Sequence, residues 1–305
     1  LNEALPPFIA AAKRAKAASP TWPVMFEQPI ISEAAIRLSF FAVLFMAFAL
    51  LEHRFPKKQR TTPKPIRWRN NLAVILGNTL VLRGLFWLAG TTAVGVALLA
   101  ETKSLGLLNQ WDISGPLTFV IGFLIMDFAI YAQHVMMHHV KPLWRLHRMH
   151  HADTDIDVST GLRFHPLEII ISMGIKFAVI LAFGISPLTV IIFEIVLNAT
   201  SMFNHANWSL PPRLDTALRL VLVTPDMHRV HHSVHTDELN SNFGFNLPWW
   251  DKLCRTYKAQ PKDGHQDMQI GLKDFRAEKY LSLGAMLAIP FVSGREMDDD
   301  SGGSA

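Results

Sequence analysis

The sequence predicts an all-α integral membrane protein, a helical bundle of about three spans plus a helical hairpin, with a histidine-rich helical cap on its cytoplasmic side. Three observations carry that expectation. Half of the 305 residues are hydrophobic and only 18% are charged, too apolar for an ordinary soluble chain of this length. The apolar residues fall in runs long enough to cross a bilayer. Twelve of the fourteen histidines lie between positions 134 and 235, six of them within His134 to His151.

Four regions are expected in order: a surface arm over 1–33, membrane helices over 34–133, a histidine-box region over 134–260 that includes a membrane hairpin over 167–203, and a C-terminal segment over 261–305. The arm places Lys13, Arg14 and Lys16 among alanines ahead of Pro20 and Pro23, a weakly amphipathic pattern. Residues 34–51 supply one crossing, with Arg37 able to snorkel. Residues 53–70 then carry seven lysines and arginines and no acid, which assigns this loop to the cytoplasm. Residues 71–100 read most simply as one tilted crossing, with Arg83-Gly84 marking a kink or a re-entrant shape. The loop over 101–115 holds a single lysine, as a loop on the far side should. Residues 116–131 return the chain to His134.

The next apolar stretch, 167–203, is too long for one helix and is interrupted by Gly184-Ile185-Ser186-Pro187, a helix-stop signature. A hairpin that enters and leaves on one face brings His165 and His205 back beside the first histidine cluster. Residues 210–223 read as amphipathic, with Arg213, Asp215 and Arg219 on one face. Tyr280 to Val292 is apolar but short, an interfacial or packing helix, and the terminal DDDSGGSA reads as disordered.

The lone cysteine, Cys254, excludes both a disulfide framework and a thiolate-rich metal site, so a metal here must be held by imidazole. A net charge of +4, concentrated in loops between apolar runs, fits membrane topology and not a nucleic-acid surface. His134 and His138, four apart, share a helix face, with Asp127 two turns earlier as a candidate for orienting a ligand. In H-x-x-H-H the last two histidines diverge by roughly 100° around the axis, so the motif feeds two ions. Two such units, His147/His150/His151 and His228/His231/His232, together with His134/His138, supply eight imidazoles. That exceeds what one tetrahedral ion takes and favours a dinuclear centre. Imidazole itself leaves zinc, copper, iron and nickel open. His139 and His235 read as surface or outer residues, and His53 and His265 as loop histidines. Asn204, Asn207, Asn240 and Asn242 are candidate hydrogen-bond partners around the site.

The ordered set H-x-x-x-H (His134, His138), H-x-x-H-H (His147 to His151), RFHPLE (His165), NHAN (His205) and TPDMHRVHH (His228 to His232), followed by NSNFG and LPWWDKLCRTY, resembles the fatty acid hydroxylase/sterol desaturase superfamily over about Asp127 to Tyr257. The resemblance implies a membrane non-haem di-iron enzyme that uses O2 and two electrons to hydroxylate or desaturate a lipid. It implies two iron ions, which zinc can replace in purified protein, with the eight boxed histidines as ligands and His165 and His205 completing the set. No fused haem segment is detected, so a separate ferredoxin- or cytochrome-like donor is expected, steered by Lys141, Arg145, Arg148, Arg229, Lys252 and Arg255. Two other classes fit a histidine-rich membrane chain. A metal transporter would thread polar residues through mid-depth, whereas here they gather at one end. A zinc hydrolase would carry H-E-x-x-H, which is absent from the sequence.

Overall fold

The computed structural model describes residues 33–111 and 113–293. The expected surface arm, apart from its last residue, and the expected disordered tail lie outside these residues. The described residues fall into two compact units divided at Phe40. Among the described residues the fold is helical, with two isolated β-bridges and no strand.

Five stretches are long and apolar enough to cross a membrane: Ala35–Arg54, Lys64–Thr102, Gly115–His139, Pro166–Phe183 and Pro187–His205. The first is α1 (Glu33–Arg54). The second is divided into α2 (Lys64–Ala89) and α3 (Ala93–Thr102). The expected kink at Arg83-Gly84 is absent, because α2 continues through both residues. The break falls instead at Gly90, which caps α2 in a left-handed conformation (φ 66°), and Thr92 starts α3 by accepting from the Gly95 amide at 3.2 Å. The third stretch is α4 (Gly115–His139), which passes through the single extended residue Val140 into α5 (Lys141–His151). Pro142, lacking an N–H, cannot extend the α4 ladder and sits in the first turn of α5.

The hairpin is α6 (Pro166–Phe183) and α7 (Pro187–His205), separated at Gly184, whose φ of 69° closes α6, while Ser186 caps α7. At this tip Gly106 packs so closely on Gly184 that a side chain at 106 would fall 2.1 Å from the Gly184 nitrogen. Ala97 of α3, Met126 of α4, Ile180 of α6 and Phe193 of α7 share one apolar core. Beyond the hairpin come α8 (Pro212–Leu218), α9 (Pro225–His231), α10 (Thr236–Leu239), α11 (Trp249–Leu253), α12 (Gly264–Asp267) and α13 (Leu283–Ala288). Only seven residues of the expected amphipathic stretch 210–223 are helical in α8. The C-terminal segment is a packing element: Met286 and Ile289 share a core with Met149 of α5, and Arg145 and Arg148 donate to the carbonyls of Pro290 and Ile289 at 2.8 and 2.6 Å.

The basic loop after α1 lies against the histidine-bearing segments. The Lys57 amide donates to Asn207 O at 3.0 Å and the Ser209 amide to Phe55 O at 2.8 Å. Thr61 and Thr62 donate their amides to Asp155 at 3.0 and 2.8 Å. Arg67, one of the seven cations of 53–70 and placed by the fold in the first turn of α2, is fully buried: it grips Asp153 with Nε and Nη2 at 2.7 and 2.8 Å and also reaches Asp157 and Thr160.

Candidate metal centre

Nine imidazoles converge in two adjoining groups, His134, His138, His147, His151 and His231 in one and His150, His205, His228 and His232 in the other, each with ligand atoms within 4.8 Å of one another. Helix periodicity divides them. From α5 the i, i+4 pair His147 and His151 enters the first group and His150 the second. From α9 and its cap the i, i+4 pair His228 and His232 enters the second and His231 the first. The chain thus uses the same H-x-x-H-H motif twice with opposite sense. Helix α4 completes the first group with His134 and His138, and the last residue of α7 completes the second with His205.

Hydrogen bonds on the outer side set the tautomers. The Nδ1 atoms of His134, His231 and His205 each donate at 2.7 Å to a backbone carbonyl, those of Phe243, Ser241 and Ser201 respectively. His147 Nδ1 lies 2.7 Å from Glu168 Oε1. Carbonyl oxygens only accept, so these rings carry their proton on Nδ1 and present a bare Nε2 inward. The inward nitrogens nevertheless sit 3.1 Å apart for His134 and His147, 3.1 Å for His134 and His231, 3.1 Å for His205 and His150, and 3.0 Å for His205 and His228. Where both rings carry their proton outward, as His134 does with His147 and with His231, lone pairs held face to face at that distance repel unless a cation lies between them. Both ring nitrogens of His138 and of His232 are buried without a hydrogen-bond partner, as are Nδ1 of His150, His151 and His228. Burial, reinforced by neighbouring imidazoles, holds His150, His151, His228 and His232 well below the ordinary histidine range, and burial pushes His231 down to about 3. The donor set is neutral, all-nitrogen and convergent, which fits divalent or trivalent transition metals in both groups.

The carbonyls of Ser241 and Phe243, which orient His231 and His134, belong to one turn. Asn242 adopts φ 51°, donates to Met227 O and Lys258 O at 2.9 and 2.7 Å, and accepts from the Lys258 amide. Asp251 accepts the Phe243 and Gly244 amides at 2.8 Å each. A side chain at Gly244 would meet Asp251 Oδ2 at 2.8 Å, so only glycine admits that contact. The NSNFG and LPWWDKLCRTY motifs therefore build the ring acceptors for His231 and His134. Phe164 stacks on His150 at 4.5 Å, and Phe243 and Trp144 flank His138.

Several expected residues stand elsewhere. His165 is in neither group: it precedes Pro166, caps α6, and its Nδ1 accepts from the Leu167 amide at 3.2 Å. Asp127 accepts from the Trp250 indole at 2.8 Å, so it braces the 243–250 turn instead of orienting an imidazole directly. Asn204 donates to Phe245 O and Asn207 to Lys58 O, holding backbone in place. His139 is exposed and bonds to Val135 O, and His235 pairs with Asp263 at 2.7 Å. Arg148 and Arg229 are buried, the first on carbonyls of the C-terminal segment and the second on Asp226, so neither is available for donor steering. Glu168 and Arg67 are functional neighbours of the site that local sequence pattern does not mark. The glutamate of RFHPLE is the one signal that was present for either.

Comparison with known proteins gives the same reading. Residues 119–256 match the fatty acid hydroxylase family model. The chain is 27% identical to an ornithine lipid hydroxylase of Rhizobium tropici over 84% of its own length and 77% of that protein. It is 32% identical to human alkylglycerol monooxygenase over 49% of its length, spanning about a third (32%) of that protein, and 26% identical to rat cholesterol 25-hydroxylase over 75% of its length and 80% of that protein. No solved structure matches the chain. Histidine boxes on membrane-length helices, the domain matched over residues 119–256 and these relatives together give the chain a fatty acid hydroxylase domain and liken it to oxygen-dependent lipid hydroxylases and monooxygenases.

Proposed function

We propose that the chain is a membrane-bound non-haem di-iron oxygenase that hydroxylates a lipid with O2 and electrons from a separate ferredoxin- or cytochrome-like protein, with desaturation the alternative outcome at the same centre. The observation that carries this reading is the pair of adjoining all-imidazole groups with their Nε2 lone pairs turned inward. Iron held by these nine residues would supply activation of O2. Hydroxylation balances as one C–H bond, O2, two electrons and two protons giving an alcohol and water. Around the centre, Glu168 and the Phe243, Ser241 and Ser201 carbonyls orient the ligands, while Phe164, Phe243 and Trp144 exclude bulk water.

In this reading residues 134–260 form the catalytic region, with 34–133 as its membrane mounting and 261–293 as packing. The histidine end faces the cytoplasm, because the cation-rich loop over 53–70 packs against it. The electron donor meets the exposed cations Lys141, Lys252 and Arg255. Lipid extracts of cells expressing the chain, compared by mass spectrometry with His150→Ala cells, test the proposal. Gain of one oxygen atom in a lipid class, absent in the variant, supports it. Identical lipid profiles under iron-replete, aerobic conditions with a reducing partner present contradict it.

A further inference from the structure

The two imidazole groups are not equivalent. The first has five rings and the second four, and their support from outside differs more than their number. In the first, His134, His147 and His231 are each tied through Nδ1 to an acceptor at 2.7 Å: the Phe243 carbonyl, Glu168 and the Ser241 carbonyl. In the second, His205 alone is tied, to the Ser201 carbonyl at 2.7 Å. The Nδ1 atoms of His150, His228 and His232 are buried with no partner. An outer acceptor fixes the ring and raises its basicity, and each contributes roughly 10- to 100-fold in metal affinity.

Where hydrogen bonds are missing, packing holds the rings, and it runs from the first group to the second. His232 stacks on His151, with ring centroids 4.5 Å apart and 25° between the planes, and His228 stacks on His231 at 5.1 Å and 27°. His150 lies against Phe164 at 4.5 Å. His151 and His231 belong to the first group, and they share α5 and α9 with its cap with His150, His228 and His232 of the second. A cation held by the first group therefore fixes both helices and the ring faces on which the second group is built. Support in the opposite direction is weaker, because His205 is the one ring of the second group with an anchor of its own.

We propose that the centre fills in order: the first group takes its ion first and about 100-fold more tightly, and the second group, completed by it, holds the exchangeable ion. Two additional outer acceptors and one additional imidazole set the gap. The chain passes through a one-ion state, and the supply of metal decides whether the pair is complete. This rests on the two-ion reading of the site and not on its oxygen chemistry, because binding needs neither O2 nor electrons.

Zinc(II), which takes imidazole ligands and has no redox chemistry, is the probe. Full-length protein is purified after expression with excess zinc(II), placed in nanodiscs and equilibrated with chelator buffers of graded free zinc(II), and bound zinc per chain is counted by elemental mass spectrometry. The native chain is expected to release its metal in two steps of one ion each, separated by about 100-fold in free zinc(II). His228→Ala is expected to lose the weaker step and keep the tighter one in place. Glu168→Ala, which leaves all nine imidazoles, is expected to weaken the tighter step by roughly 10- to 100-fold and bring the two steps together. Variants are compared once circular dichroism shows native helix content, and the native titration decides the matter if a variant does not fold. Release of two ions in a single step by the native chain, loss of the tighter step in folded His228→Ala, or unmoved steps in folded Glu168→Ala overturns the proposal. A native chain that holds one ion in total under excess zinc(II) overturns the two-ion reading together with it, so the two failures are told apart.

Discussion

Glu168 Oε1 lies 2.7 Å from His147 Nδ1, joining the first turn of α6 to the middle of α5 across 21 residues of sequence. Both groups are buried, with side-chain exposures of 2% and 5%. The carboxylate fixes the ring so that Nε2 faces His134 and makes that nitrogen a stronger donor to a cation. Removing it by Glu168→Ala is expected to lower metal affinity at the first group roughly 10- to 100-fold, with a smaller loss for Glu168→Gln, which keeps an acceptor. Competition with a graded series of chelators measures this. Equal affinity in native and Glu168→Ala protein would remove the residue from the centre.

Gly161 sits under the second group. A methyl group there would lie 2.8 Å from Ser201 O and 3.2 Å from His205 Nδ1, the two atoms of the bond that orients His205. Gly161→Ala is expected to cost about 1–3 kcal/mol of stability and to reduce metal at the second group in preference to the first. Metal-to-protein ratios read alongside thermal unfolding separate the two effects. A full metal complement with unchanged unfolding temperature would show that the loop yields without strain.

Arg67 anchors the loop that follows His151. Its guanidinium is buried between Asp153 and Asp157, so Arg67→Ala leaves these two buried carboxylates only the longer 3.7 Å contacts of Arg163 and Arg60. A loss of about 3–5 kcal/mol is expected, with Arg67→Lys recovering part of it. Unfolding of the detergent-solubilised chain tests this. A Lys variant no better than Ala would show that forked geometry matters more than charge.

His165 separates capping from ligation. As the α6 cap outside both groups, His165→Ala is expected to retain full metal content and lose about 1 kcal/mol of stability. His232→Ala, with both ring nitrogens buried and unpartnered, is expected to lose metal. Metal loss in His165→Ala equal to that in His232→Ala would make it a ligand.

What the sequence made legible follows from local rules. The helical period alone dictates that H-x-x-H-H divides its histidines between two directions, and glycine and proline at 184–187 dictate the hairpin that returns His205. Contacts made across long separations were not legible. Nothing local distinguishes Arg67 from the six other cations of 53–70, yet burial at the start of α2 makes it a structural ion. Arg148 and Arg229 are likewise indistinguishable from surface charge in the sequence, and both are buried. A charge interrupts the apolar run at Arg83-Gly84, but helical backbone tolerates both residues and the break falls where Gly90 takes a positive φ. His165 carries the right side chain, and Pro166 after it turns the residue into a helix cap.

The sidedness of the site is open to direct labelling. On a Cys254→Ala background, a cysteine at Gln59, in the loop packed on the histidine segments, is expected to react only from the cytoplasmic side, and one at Ser104, beside the hairpin tip, only from the opposite side. Reaction of both from one side would contradict the assignment of spans.

The central claim is that two adjoining imidazole groups hold two metal ions. Iron and zinc per chain, counted by mass spectrometry of the elements on full-length protein purified after iron-replete expression, test it most directly. Two ions per native chain are expected, with loss of metal in both His231→Ala and His228→Ala and none in His139→Ala. A single ion per chain in the native protein, or full occupancy in the His231→Ala and His228→Ala variants, would contradict it.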